Sequence, residues 1–185
     1  MQEAVVVMDM TRDSIAPEAR AVERRRAILP DTARFLAWCR STGRPVVFVC
    51  SARRKTDKWF LKHWEFVNVI WTPGQEPIPD LFDREHDHIV HKRRYSGFFG
   101  SDLDVTLREL GVESLVLIGW STALAVATTA IDAWQLGYPT TVVHDLTISH
   151  AWGGHSVEET QQWSIKYIEA MAKSRIASAA EFMKS

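Results

Sequence analysis

Short runs of β-branched residues separated by longer amphipathic stretches constrain this chain more than any other feature. The runs are AVVVMDM (residues 4–10), PVVFVCS (45–51), HIVHK (88–92), SLVLIG (114–119), TTVVHD (140–145) and RIAS (175–178). They are apolar on both faces, as strands covered by helices on both sides must be, and the rhythm of strand, helix, strand calls for parallel pairing. The expected fold is therefore α/β: a three-layer, Rossmann-like, mostly parallel six-stranded sheet with helices on both faces. A chain of 185 residues is read as one domain over residues 1–185, long enough to bury about 70% of its unfolded surface without disulfides.

The helices carry their own punctuation. PDTARFLAWCRSTG opens with Pro30 in its first turn and stops at Gly43, and STALAVATTAIDAWQLG ends at Gly137. Ser101 with Asp104, and Ser156 with Glu159, have the spacing of N-terminal caps. Between residues 52 and 87 no clean period survives; a stretch so long and irregular is expected to form a lid, a pocket wall or a contact between copies.

The net charge of -1 supplies no bulk field for nucleic acid or an anionic membrane. No apolar run approaches the roughly 20 residues needed to span a bilayer. The N-terminus has no basic flank of the secretory type, and Cys39 and Cys50 have no metal-type spacing. These features suggest a reduced, cytoplasmic setting and a small molecule or another copy of the chain as partner. Eight tryptophans suit a pocket or an interface, where large amphipathic rings are partly packed and partly wet.

In a doubly wound sheet, ligands bind beyond the carboxyl ends of the strands. The polar residues expected there are Asp9, Ser51, Arg53, Lys92, the turn from Ser121 to Ala125, and Asp145. Asp9 interrupts an apolar strand end and needs a cation to be buried there; Lys92 can supply it, leaving a carboxylate placed to move protons. A structural ion pair is the alternative on spacing alone. The seven histidines contain no H-E-x-x-H set, and Asp57 with His63 lacks an evident third ligand, so neither a metal nor another cofactor is expected. Cys50, inside VVFVC, reads as a buried small hydrophobe.

Four segments resemble the isochorismatase-like, or cysteine hydrolase, superfamily. VVVMDMTRD is similar to its first strand ending in a catalytic Asp. HKRRYSGFFGSDLDVTLRELGVESLVLIG resembles its Lys segment, and GWSTALAVATTAIDAWQLGY its nucleophile turn; WTPGQE resembles its T-P-G-x-E. The resemblance implies Asp9 as general base, Lys92 as its cationic partner, and Ala125 at the position of the nucleophilic cysteine. It further implies a non-proline cis peptide between Trp120 and Ser121, an oxyanion hole from the backbone N–H groups of Ser121 and Ala125, and assembly as a homodimer or homotetramer. Ala123 and the Arg12-Asp13 pair also depart from the family pattern.

With Ala125 in place, three readings stand. One is an amidohydrolase for a small amide, carbamoyl or ureido compound whose cysteine has been replaced, as in an engineered, inactive, substrate-trapping variant. Another is a thiol-independent hydrolase of the isochorismatase type acting on a vinyl ether. The last is a non-catalytic binding or scaffold protein. For a ligand with a carboxylate, Arg53, Arg54, Arg93 or Arg94 could hold the charge, and Trp59, Trp64, Tyr95, Phe98 or Trp120 could wall a flat group.

Overall fold

The structure is a computed structural model and describes residues 2–62 and 68–184. Six strands form one sheet: β1 (Gln2–Met8), β2 (Val46–Ser51), β3 (His88–Lys92), β4 (Val112–Trp120), β5 (Thr140–Ile148) and β6 (Arg175–Ala177). Their order is β3-β2-β1-β4-β5-β6 and each neighbouring pair is parallel. The chain reverses its direction of travel across the sheet between β1 and β4, which is where such a fold opens a crevice.

Strand alternation divides the core into two layers. Ala4, Val6 and Met8 of β1 join Leu103 and Leu107 of α4 (Leu103–Glu109), Ala130 and Ala133 of α5 (Ala127–Gln135), and Ile168 of α6 (Val157–Ala172). Val5 and Val7 face the other way, onto Phe35, Leu36 and Cys39 of α2 (Leu29–Ser41) and Phe182 of α7 (Ala179–Phe182). These five β1 residues are all fully buried. At about 1.5–3 kcal/mol for each large side chain taken out of water, this two-sided burial fixes both the register and the three layers.

The remaining helices are short: α1 (Val22–Ala27) lies before α2, and α3 (Lys58–Leu61) follows β2. The irregular stretch after β2 folds back onto the segment that follows β1. Thr11 pairs with Pro77, the Thr11 hydroxyl donates to Asn68 Oδ1 (2.9 Å), and the Asn68 amide donates to Asp13 Oδ2 (2.8 Å). Gly74 of the T-P-G sequence lies so close that a Cβ there would sit 2.0 Å from Asp13 Oδ1.

Local signals fared unequally. The Ser156 capping box is present, with the Ser156 hydroxyl accepting from the Glu159 amide and the Glu159 carboxylate accepting from the Ser156 amide. Ser101 is not at the N-cap position, which Asp102 takes one residue later; the Ser101 hydroxyl donates to the Gly97 carbonyl and accepts from the Leu103 amide (3.3 Å). Asp104 instead accepts from Arg108 Nε (2.9 Å) and the Tyr138 hydroxyl (3.0 Å). After β4 the backbone first makes a π-helical turn over Thr122–Val126 and becomes α-helical only at Ala127.

Candidate active site

Asp9 follows the last residue of β1 in the left-handed region (φ 52°), an uncommon conformation for a non-glycine residue. Its Oδ1 accepts from the Ser51 amide at 2.8 Å and its Oδ2 lies 2.7 Å from Lys92 Nζ. Lys92, at the end of β3, is only 2% exposed. Its ammonium also donates to the Arg94 carbonyl (3.0 Å) and the Ser51 hydroxyl (3.3 Å). All three ammonium protons thus have acceptors, the condition under which a charge can be buried at all. Three adjacent strand ends converge on this one ion pair.

Beside it, Gly119 is the penultimate residue of β4; its φ is 105° and a Cβ would lie 2.1 Å from the Met8 carbonyl oxygen. Only glycine fits against β1 so closely. The Trp120–Ser121 peptide is cis, and the π-helical turn carries Ala125, 3% exposed, into the wall of a cavity of about 290 Å³ that Asp9, Ser51 and Lys92 also line. Thr122 fixes the turn by donating to Gln161 Oε1 (2.8 Å), while Gln161 Nε2 donates to Thr147 Oγ1 (2.9 Å) and Gln161 Oε1 accepts from the Ser149 amide (2.9 Å). Gln161 of α6 therefore ties the turn to the end of β5. It carries no motif that would have singled it out in the sequence.

Of the other expected site residues, Arg53, Tyr95, Trp120 and Ser121 line the same cavity. Phe60 packs beneath its rim: the Arg53 guanidinium lies 4.7 Å and that of Arg94 5.9 Å from the ring, with Tyr95 at 5.9 Å. Phe98 does not join them. It packs on the core at the opposite side of the Lys segment and stacks on Tyr138 (6.0 Å), because the loop after β3 turns once it has delivered Lys92. Asp145 also turns away, accepting from the Ala179 amide at the start of α7 (2.9 Å). Trp64 and His63 lie outside the described residues. Asp57 is engaged by Arg93 and accepts from the Arg54 amide (2.9 Å), and among the described residues no three potential metal ligands come together.

Several cavity residues escaped the reading of the sequence, among them Arg25, His150, Asp13, Ser14 and Asn68. Burial holds the Arg25 guanidinium at about 10, below its ordinary value, with Asp9 opposing and Arg20 adding to the decrease. Burial also lowers Arg53. The cavity gathers Arg20, Arg25, Arg53, Lys92 and Arg94 against Asp9, Asp13 and Glu18, an excess of positive charge that favours an anionic occupant. Neither thiol can stand in for a nucleophile here. Cys39 and Cys50 are free and fully buried, and burial pushes the first up to about 12 and the second higher still.

His150 is 8% exposed and lowered from 6.5, first by burial and then by Arg20 and Arg25. The unfolded chain therefore binds the proton more readily than the folded one, so stability falls as pH drops through 6.5 and levels off below the folded value. His86, raised by its Asp83 partner, works in the opposite sense. Urea melts of the protein and of His150→Gln between roughly pH 8 and pH 5.5 should show the variant losing less stability on acidification; equal slopes would mean that His150 titrates alike in both states.

The Isochorismatase domain family matches residues 3–180. An isochorismatase-like hydrolase from Alkaliphilus metalliredigens superposes with a TM-score of 0.87 at 29% identity, covering 100% of this chain and 98% of that one. N-carbamoylsarcosine amidase from Thermoplasma acidophilum gives 0.84 at 25% identity, covering 98% of each. Ureidoacrylate amidohydrolase RutB of Variovorax paradoxus (strain S110) is 36% identical over 91 residues, 49% of this chain but only 35% of the length of that protein. A match over nearly the whole chain, on a fold and a site built as described, means that this protein belongs to the isochorismatase family of hydrolases.

Proposed function

We propose that the cavity takes a small carbamoyl or ureido compound, its carbonyl directed at the turn that carries Ala125, with Asp9 as the proton-transfer group and Lys92 as its charge partner. The observation that carries this reading is the convergence of Asp9, Lys92 and Ala125 on one cavity, in a chain similar to a ureidoacrylate amidohydrolase and to an N-carbamoylsarcosine amidase. The backbone N–H groups of Ser121 and Ala125 serve as the oxyanion donors. With a methyl group at position 125, the chain binds such a compound and lacks the atom that would attack it. Both cysteines are free; we place the protein in the cytoplasm and read residues 1–185 as one domain. The exposed, stacked Trp163 and Tyr167 of α6 (5.0 Å) support assembly as a homodimer or homotetramer.

Calorimetric titration with ureido and carbamoyl compounds should detect binding to the protein as it stands, and weaker binding of the corresponding amines. Failure of every such compound to bind would rule the reading out. One observation favours a second reading. Asp9 lies on the cavity beside a position without a thiol, as acid-catalysed hydrolysis of a vinyl ether requires: a carboxylic acid protonates the vinyl carbon and water adds to the resulting oxocarbenium ion. Turnover of a vinyl ether by the protein, abolished in Asp9→Asn, would establish it in place of the first.

A further inference from the structure

Where the segment around residues 19–25 meets the loop around residues 149–152, several buried polar groups lie together without partners. Both ring nitrogens of His150 and the indole N–H of Trp120 have none, and the two residues are 8% and 1% exposed. Arg25 donates from Nη1 to the Ser14 carbonyl (2.9 Å), lies over the Trp120 ring at 5.2 Å, and has no partner at Nε. All three residues line the cavity that holds Asp9 and Ala125. A buried polar atom left unsatisfied is costly, and native structures keep such atoms few.

The charges here are also unbalanced. Arg20 and Arg25 both disfavour a proton on His150, and Arg20 disfavours the charge of Arg25 as well. Of the three acids on this cavity, Asp9 is shared between Lys92 and the Ser51 amide and also favours the charge of Arg25, Asp13 accepts from the Asn68 amide, and Glu18 is the third; they face five cations. A carboxylate brought in by a ligand would meet guanidinium, imidazole and indole donors together and relieve the repulsion between the arginines.

We propose that Arg25, His150 and the indole N–H of Trp120 form a subsite for the carboxylate of the ligand, separate from the groups that face its carbonyl. The subsite rests on the carbamoyl or ureido reading of the same cavity, and it narrows the substrate class to ureido or carbamoyl acids. Arg25 supplies the charge, Trp120 a fixed donor, and His150 a neutral donor that discriminates by position.

The test is calorimetric titration of the whole protein with three probes: 3-ureidopropionate, its uncharged analogue propylurea, and succinate. The protein should bind 3-ureidopropionate about tenfold more tightly than propylurea, the size of one charge-assisted contact. Arg25→Gln and His150→Gln should each shrink that preference by weakening 3-ureidopropionate more than propylurea; Arg25→Lys, which keeps the charge but loses the fork of donors, should fall between. Circular dichroism checks that each variant is folded, and the lysine variant carries the test if Arg25→Gln is not. Equal affinity for 3-ureidopropionate and propylurea, or a preference that survives both replacements, overturns the subsite and leaves the ureido reading standing. Binding of succinate that depends on Arg25, with neither ureide bound, supports the subsite and refutes that reading. Binding of none of the three overturns both.

Discussion

Replacing Ala125 by cysteine is expected to raise ammonia or amine release from a ureido or carbamoyl acid on the order of 10³-fold. The added sulfur enters a position already on the cavity wall, so little repacking is needed, and the surrounding cations favour its thiolate. On the proposed reading, the thiolate would attack the carbonyl carbon, forming a C–S bond and an oxyanion that the backbone N–H groups of Ser121 and Ala125 would hold. The C–N bond would then break as the amine takes a proton, and water would release the acyl group from sulfur. Asp9 is the group placed to carry those protons, so Ala125→Cys with Asp9→Asn should lose most of the gain. Stopped assays of ammonia on the protein, the cysteine variant and the double variant decide the matter. A cysteine variant that binds the ureido acid, yet releases nothing and forms no acyl adduct by mass spectrometry, would remove position 125 from the chemistry.

Much of this site was legible because each of its anchors lies at a strand end, Asp9 and the Ser121 turn after the buried strands β1 and β4 and Lys92 at the end of the half-exposed edge strand β3. Asp9, Lys92 and the Ser121 turn stand out against apolar runs, and the two-sided burial of β1 determines where they meet. Arg25 was not legible, for a geometric reason. The three consecutive arginines of VERRRA carry no motif that distinguishes one from another, but on a helix each residue turns by about 100° from the last. In the structure Arg24 pairs with Glu158, Arg26 donates to the Ile15 carbonyl, and only Arg25 reaches the cavity. His150 follows β5 in a loop without a period, and only tertiary packing places it beside Arg25. Phe98 shows the reverse case: its neighbour Tyr95 reaches the cavity lining, and three residues of loop suffice to send an equally aromatic side chain into the core. Ser101 sits one residue outside the cap position for a similarly local reason: its hydroxyl bridges the Gly97 carbonyl and the Leu103 amide, and Asp102 takes the N-cap.

Lys92→Met should destabilise the protein by about 3 kcal/mol, because it leaves the Asp9 carboxylate without its counter-ion at the end of a buried strand. For a chain of this size that is a fall of roughly 6–12 °C in Tm. The aliphatic part of the side chain is preserved, so the loss reports the charge and its donors. Adding Asp9→Asn should restore much of it: the amide oxygen can still accept from the Ser51 N–H, and no charge is left buried. Thermal melts of the two single variants and the double close a mutant cycle whose coupling should be favourable by more than about 1 kcal/mol. Additive losses would mean that Asp9 and Lys92 are each held by their other partners, Ser51 and the Arg94 carbonyl, and not by one another. In the cysteine variant, Lys92→Met should also depress amine release by more than the loss of folded protein explains. That excess separates a cation that maintains the charge of a working site from one that only holds three strand ends together.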